Sequence, residues 1–346
     1  MKSSATAQEV ARLAQVSQSA VSRTFTPGAS VSEQTRAKVL AAAATLGYRP
    51  NAMARSLITR QSRIVALVMS YLENQFYPLV IQDLSQKLQK QGYHVLMFIS
   101  DLDEADEVMA EILQYQVDGI VLASTMLSPS LANSCAASGV PIVQFNRVAD
   151  TSAKARYGTN AVTSDNRRGG ALVAELLLAR GFERIAFIAG LERSSTSLER
   201  ERGFAGALAK AGTQVYRRAV GHYSFDGAKA ATRTLFSGTG EPPDALFVAN
   251  DHMAIAAMDV LRNELQLRVP EDVSVVGFDD VPQAAWGAYQ LTTVVQSVER
   301  MVNATVELLH GQMLGNAPPR YVIVPCELVL RKSVRPPADP PDTARA

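Results

Sequence analysis

TAQEVARLAQVSQSAVSRTFT, residues 6–26, carries two short apolar stripes with a break between them. Val10, Leu13 and Ala14 form the first stripe and Val21 and Phe25 the second, each with the three-to-four-residue spacing of a helix. Ser17 stands just ahead of the second stripe, where a hydroxyl can accept from the free amides that open a helix. The break itself, Gln15-Val16-Ser17, is short. Ala11 and Ala14 are small enough for close packing, and Val16 plugs the space between the helices. This is the spacing of a helix-turn-helix, whose second helix lies in the major groove of DNA and turns its N-terminal residues to the base edges. Gln18 and Ser19 open that helix and Arg23 lies within reach; glutamine can read adenine and arginine guanine through paired hydrogen bonds. Ser17 belongs to the same DNA-facing stretch, and Ser22, Thr24 and Thr26 are candidates for phosphate contacts.

Outward from this stretch, Pro27-Gly28 interrupts the pattern, Ser32 caps a third helix striped by Val39, Leu40, Ala43 and Leu46, and Gly47 closes it. The next segment, GYRPNAMARSLITRQSR (47–63), contains Pro50, which can begin a short helix, and Ala52 and Ala54, which permit close pairing with a symmetry mate. Leu57 is an apolar residue in a basic segment. It fits two roles, packing against the rest of the protein or acting as a wedge between base steps in the minor groove. Residues 1–63 hold nine Lys or Arg against two Asp or Glu, a net of +7, and the other 283 residues are net −6, so the overall +1 conceals a basic head on an acidic body. That asymmetry fits a polyanion partner at one end, or a solvated basic arm.

From Ile64 the rhythm changes to short β-rich runs alternating with amphipathic helices, the pattern of parallel sheets covered by helices on both faces. The runs IVALVM (64–69), HVLMFI (94–99), GIVLA (119–123) and VPIVQF (140–145) make one set, and RIAFIAG (184–190), ALFVAN (245–250) and VSVVGFD (273–279) a second. The fold class is α/β: a small three-helix head, a hinge helix and two doubly wound parallel-sheet subdomains. The strand-like runs end in polar residues: Ser70, Ser100-Asp101, Ser124-Thr125, Asn146-Arg147, Asn250-Asp251 and Asp279-Asp280. In open α/β sheets ligands bind outside the carboxyl ends of the strands, so these residues suit a cleft between two such sheets, although any one of them also suits an ordinary polar loop.

The patterns VARLAQVSQSAVSR (10–23) and YRPNAMARSL (48–57) resemble the helix-turn-helix and hinge signatures of the lactose/galactose repressor family of transcriptional regulators. The resemblance runs on through LVMSYLENQFY (67–77), VPIVQFNR (140–147), VTSDNRRGG (162–170), FVANDHMAIAAM (247–258), VSVVGFDD (273–280) and LTTVVQS (291–297). It implies a DNA-binding domain over 1–47, a hinge over 48–62 and a periplasmic-binding-protein-like effector core over 63–333. Within the core the expected lobes are about 63–162 plus 293–320, and 163–292 plus 321–333; residues 334–346, ending PPADPPDTARA, are expected to be a disordered tail. It also implies that Gln18, Ser19 and Arg23 read bases, that Leu57 is the hinge wedge with Asn51 and Ala54 beside it at the DNA, and that a small-molecule effector is held by Ser70, Asn146, Ser194, Arg200, Tyr223, Asn250, Asp279 and Gln296. Amide and carboxylate groups suit a hydroxyl-rich ligand, Arg200 offers a fork of donors, and Tyr223 can stack on a ring face. The chain departs from the family pattern where Gln15 replaces a turn glycine, where Ala20 replaces a hydroxyl residue, and where Ala228, after Tyr223, replaces a frequent glycine. Asn146 stands where sugar-binding relatives often carry aspartate; with Arg200 this leaves room for an anionic ligand such as a sugar acid.

The expected partners are therefore a pseudopalindromic double-stranded operator, a sugar or sugar-derived effector and a second copy of the chain, since one recognition helix reads too few bases alone. The other reading, a sugar-binding protein without a DNA role, shares the two-lobed body but leaves the basic head unexplained. No heptad pattern follows Val334 that would build tetramers. No cofactor and no catalysis are expected: there is no glycine-rich phosphate loop, and His94, His222, His252 and His310 stand in no metal or triad spacing. Cys135 and Cys326 read as reduced, buried thiols. The opening MKSSATAQEV has no apolar secretory stretch and no run is long enough to span a bilayer, so a cytoplasmic protein is expected.

Overall fold

Thr6 and Glu9 open the first helix with a reciprocal cap: the Glu9 amide donates to Thr6 Oγ1 at 3.3 Å and the Thr6 amide to Glu9 Oε2 at 2.7 Å. The computed structural model describes residues 5–26, 28–50, 61–70, 72–99, 105–123, 139–148, 160–315 and 317–337, and the chain divides into two units, Met1–Ser62 and Arg63–Ala346. In the first unit α1 (Ala7–Ala14), α2 (Gln18–Thr24) and α3 (Glu33–Leu46) start and stop where the caps predict. Ser17 Oγ accepts from the Ala20 amide, Ser32 Oγ from the Thr35 amide, and Gly47 ends α3 at φ 64°. The core of the head is Val10, Ala11, Ala14, Val21, Val39, Ala42 and Ala43, with Val16, Phe25 and Tyr48 packed against it. Three stripe residues do not join it. Leu13, Leu40 and Leu46 are 51 %, 47 % and 38 % exposed, because a bundle this small, joined at alanines, buries only a narrow face of each helix.

The second unit holds two six-stranded sheets. The first is β1 (Ile64–Met69), β2 (His94–Ile99), β3 (Gly119–Ala123), β4 (Ile142–Phe145), β5 (Ala161–Ser164) and β11 (Tyr321–Val324), in the order β11-β5-β4-β3-β1-β2 and parallel throughout. The second is β6 (Ile185–Ala189), β7 (Arg217–Val220), β8 (Ala245–Val248), β9 (Ser274–Asp279), β10 (Thr292–Val295) and β12 (Glu327–Val329), in the order β12-β10-β9-β8-β6-β7; only β12 runs antiparallel. Helices α4 (Phe76–Lys90), α5 (Ala105–Gln114) and α10 (Val298–Met313) serve the first lobe. Helices α6 (Asn166–Ala179), α7 (Ser195–Lys210), α8 (Phe225–Ser237) and α9 (Asp251–Asp259) serve the second.

The lobe limits differ from the sequence expectation. Strand 292–295 pairs with β9 and so belongs to the second lobe, while strands 161–164 and 321–324 pair with each other in the first. The chain therefore crosses between lobes just after Ser164, Val295 and Val324, and the ladder hydrogen bonds decide the allocation. Residues 334 and 335, expected in the tail, are packed. Val334 is buried, the Arg335 amide donates to Ser274 Oγ at 3.1 Å, and the Arg335 guanidinium lies 4.1 Å over the Phe182 ring, so residues 334–335 are part of the second lobe.

Glycines let α6 and α7 meet backbone to backbone. A Cβ on Gly170 would stand 2.0 Å from the Arg200 carbonyl oxygen, and one on Gly203 1.9 Å from that of Arg167. Cys326 is buried, and burial pushes its thiol up to about 11. Among the described residues no helix is long and apolar enough to cross a membrane. Asn51, Ala54, Leu57, Ser100, Asp101, Ser124, Thr125 and Cys135 lie outside the described residues.

Candidate functional site

Burial sorts the faces of α2. Ala20, Val21 and Thr24 turn inward, and Ser17, Gln18, Ser19, Ser22 and Arg23 are all exposed. Arg23 is held loosely, its Nε 3.4 Å from the Ser19 carbonyl, which leaves the terminal nitrogens of its fork for another partner. Ser17 and Ser19 hydroxyls lie 2.9 Å apart at the N-terminus of the helix. Two expected phosphate contacts fare less well. Thr24 is buried, its hydroxyl donating to the Ala20 carbonyl at 2.8 Å, and Thr26 donates to the Ser22 carbonyl at 2.9 Å. Both hydroxyls turn back on the helix, as threonine does when no other acceptor is near. The Gln15 departure is real and local: the residue sits at φ 53°, ψ 46°, in the left-handed region where glycine is unstrained.

In the body, the expected effector residues gather where strands end and helices begin. Asn250 caps α9 by accepting the Met253 amide at 3.0 Å through Oδ1, which fixes its amide group and leaves Nδ2 without a partner. Gln296, at the end of β10, donates Nε2 to Asp279 Oδ1 at 2.6 Å, and its Oε1 has no partner. Asn146, at the end of β4, donates Nδ2 to Tyr77 Oη at 3.1 Å, and its Oδ1 likewise has none. All three side chains are buried. Ser70 stands half-buried at the carboxyl end of β1.

Arg200 is wholly enclosed. Nε donates to Asn166 Oδ1 at 2.8 Å, Nη1 to the Ala249 carbonyl, and Nη1 lies 3.5 Å from Asp279 Oδ1. Its guanidinium stacks 3.7 Å from the centre of the Phe278 ring. Only Nη2 is left without a hydrogen bond, so Arg200 offers a ligand one end of its fork and not the whole of it. Asp279 is the hub of the cluster. Besides Arg200 and Gln296 it accepts Asn74 Nδ2 on Oδ2 at 2.7 Å, a bond that reaches from the first lobe to the second.

Ser194 and Tyr223 belong to a second chain of contacts. Ser194 Oγ lies 2.9 Å from Thr196 Oγ1, which lies 3.0 Å from Tyr223 Oη. The Tyr223 ring rests on Gly190, where a Cβ would come within 2.2 Å of it, and the Arg147 guanidinium sits 4.9 Å from its centre. The ring is thus engaged by the protein itself rather than laid open for stacking. The Val148 amide donates to Ser195 Oγ at 3.0 Å, tying the lobes a second time; Glu73 lies 3.7 Å from His252, whose pKa burial lowers, so the two form no charge pair at neutral pH.

Asp251 is fully buried next to Asn250. Burial, with the charge of Asp279 nearby, pushes its carboxyl up to about 7. Burial raises Asp279 too, but Arg200, Asn74 and Gln296 all oppose that rise.

Sequence reasoning passed over Asn74, Tyr77, Asn166 and Thr196, and named Arg147 and Asp251 only as strand-end residues. Arg147 and Asp251 stand beside selected residues at strand ends, so the strand-end rule already pointed at them. Asn74 and Asn166 come from helix starts, where an amide reads equally well as a cap.

The head defines a DNA-reading protein of the helix-turn-helix class, and the body a two-lobed small-molecule receptor; together they define a ligand-responsive transcriptional regulator. Residues 6–51 match the model of bacterial regulatory proteins of the lacI family, and residues 174–334 match a periplasmic binding protein-like domain. The HTH-type transcriptional regulator CelR of Thermobifida fusca is 33 % identical over 337 residues, 95 % of this chain and 98 % of that protein. The solved complex of a transcriptional regulator CelR with cellobiose superposes with a TM-score of 0.72 at 31 % identity, covering 95 % of this chain and 99 % of that one. A lac repressor dimer bound to operator and the anti-inducer ONPF superposes with a TM-score of 0.85 at 28 % identity, covering 96 % and 99 %. The chain belongs to the lacI family of bacterial regulatory proteins.

Proposed function

We propose that this regulator is a cytoplasmic repressor whose operator affinity is set by a sugar or sugar acid held between the lobes of its body, and that it catalyses no reaction. The observation that carries the reading is the set of buried hydrogen-bonding atoms with no partner among the described residues: Asn146 Oδ1, Asn250 Nδ2 and Gln296 Oε1. Buried polar atoms are almost always satisfied, so three of them at the carboxyl ends of strands favour a hydrogen-bonding ligand there. Two acceptors and one donor, with Arg200 Nη2 as a further donor, match hydroxyls that both give and accept protons. Ser70, Ser194, Tyr223 and Asp279 complete the site, and the cellobiose bound to CelR makes a sugar the first candidate.

In the head, residues 1–47, Gln18, Ser19 and Arg23 read bases while Ser17 and Ser22 meet the phosphates. Asn51, Ala54 and Leu57 of the connector, residues 48–62, act at the minor groove. A homodimer presents two such heads to a two-fold operator, as the operator-bound lac repressor does.

A thermal-shift screen with cellobiose, ribose, gluconate and hypoxanthine tests the effector class, because a ligand of the folded state raises the melting temperature. A sugar or gluconate is expected to raise it and to change operator affinity. A shift with hypoxanthine alone overturns the sugar reading.

A further inference from the structure

Among the described acids of the body Asp251 is the most deeply enclosed, at 0 % exposure. Its oxygens are committed to fixed neighbours. Thr293 Oγ1 donates to Oδ1 at 2.6 Å and the Val281 amide to Oδ2 at 3.0 Å. Gly277 on β9 makes room for it, since a Cβ there would stand 2.1 Å from Asp251 Oδ1.

What Asp251 holds is a strained turn. Asp279 and Asp280 lie at φ 129° and 59°, a conformation side-chain-bearing residues avoid and one that persists only when the surroundings impose it. Three ties impose it here: Asp251 on the Val281 amide, Arg331 on Asp280 at 2.7 Å, and Gln296 with Asn74 on Asp279. We propose that Asp251 is a positioning residue of the effector site, tying the 279–281 turn to the first turn of α9 and thereby fixing where Asp279 meets the ligand. This rests on the sugar-site reading above and deepens it.

The charged groups facing Asp251 are Asp279 at the end of β9 and Asp280 in the turn, offset by Arg200 and Arg331 respectively. Its carboxyl, raised from 3.8 to about 7, binds a proton more tightly in the folded chain than in the unfolded one. The stability this contributes is complete below about pH 4 and is lost as pH rises through about 7. An asparagine can keep both contacts, its oxygen accepting the Val281 amide and its NH2 donating to Thr293 Oγ1, while losing the proton.

The test uses the ligand-free full chain and the variants Asp251→Asn and Asp251→Ala. Hydrogen exchange at the Val281 amide is expected to quicken at least about tenfold in Asp251→Ala and to stay within about threefold in Asp251→Asn, as expected when a buried donor loses or keeps its acceptor. The fall in denaturation midpoint between about pH 5 and 8 is expected to shrink in Asp251→Asn. Wild-type exchange in Asp251→Ala, equal quickening in both variants, or an unchanged slope in Asp251→Asn overturns the proposal. If Asp251→Ala does not fold, exchange and slope in Asp251→Asn decide it.

Titration with cellobiose separates the two readings. Where the wild type binds it, Asp251→Ala is expected to bind at least about tenfold more weakly, and equal affinity overturns the positioning role. A wild type that ignores cellobiose counts against that sugar as effector, while altered exchange in Asp251→Ala still supports the tie.

Discussion

Asn74 Nδ2 and Asp279 Oδ2 stand 2.7 Å apart although 205 positions separate them in the chain. The Asn74 oxygen is spent on the Phe76 amide at 3.0 Å, which sets the amide group at the start of α4 and points its NH2 at the other lobe. A side chain that opens a helix in one lobe therefore also holds the central carboxylate of the other. With Val148–Ser195, this contact makes the body described here a state with its lobes drawn together. An effector that prefers this state shifts the population toward it only by its difference in affinity for the two states.

Removing the Asn74 contact is expected to loosen the closed state without touching the head. A hydrogen bond to a charged group contributes about 1.5–3 kcal/mol, so Asn74→Ala is expected to weaken effector binding by roughly tenfold to a hundredfold. Calorimetric titration with the effector from the screen measures it. Unchanged affinity would mean that the bond is incidental to closure.

Arg200 is tied to Asn166 and Ala249 by hydrogen bonds and to Asp279 by an ion pair at 3.5 Å, an arrangement that needs the fork of a guanidinium. Arg200→Lys keeps the charge but loses the fork, and is expected to abolish the effector response while operator affinity stays within about threefold. Operator binding titrated with and without effector reads both quantities. A retained response would remove Arg200 from the site.

The architecture was legible where strands are continuous apolar runs. IVALVM, HVLMFI and GIVLA form β1, β2 and β3 over the same residues. It was illegible in AVTS, RRAV, TTVV and ELV, which are three or four residues long and either polar or at a sheet edge, and become strands because the ladder beside them supplies partners. The lobe boundaries failed for the same reason, since β10 and β11 are assigned by pairing and pairing is non-local. Within the site, Asn146, Asn250 and Asp279 stand at the ends of apolar runs and could be named from position, whereas Gln296 follows the illegible TTVV and came only from the family resemblance. That Asp279 would spend itself on Asn74, Gln296 and Arg200, and that Tyr223 would lie on Gly190 under Arg147, depends on three-dimensional neighbours that no local pattern encodes.

The turn of the head offers a stability test. Gln15 occupies the left-handed region, which costs a side-chain-bearing residue roughly 1–2 kcal/mol, while glycine adds back part of that as lost unfolded-state freedom. Gln15→Gly is expected to stabilise the head by about 0.5–1 kcal/mol. Hydrogen exchange of the α1 and α2 amides in the full chain measures it; faster exchange would show that the Gln15 side chain matters more than its backbone.

Arg23 lies on the exposed face of α2 with its terminal nitrogens uncommitted. Arg23→Ala is expected to weaken binding to the specific operator by about 1–3 kcal/mol and to leave non-specific binding nearly unchanged. Competition between operator and random duplex distinguishes a base contact from a phosphate contact, because loss of a phosphate contact would lower both affinities alike.

The net charge of +7 over residues 1–63 predicts how binding responds to salt. Each neutralised phosphate releases counterions, so a head contacting six or more phosphates is expected to lose roughly a thousandfold in operator affinity between 50 and 200 mM salt. The acidic remainder of the chain cannot supply this dependence, since like charge repels the duplex. Affinity measured across that range by fluorescence anisotropy reads the slope directly. A flat profile would show that the basic segment does not meet the phosphate backbone, and the head would then need another anionic partner.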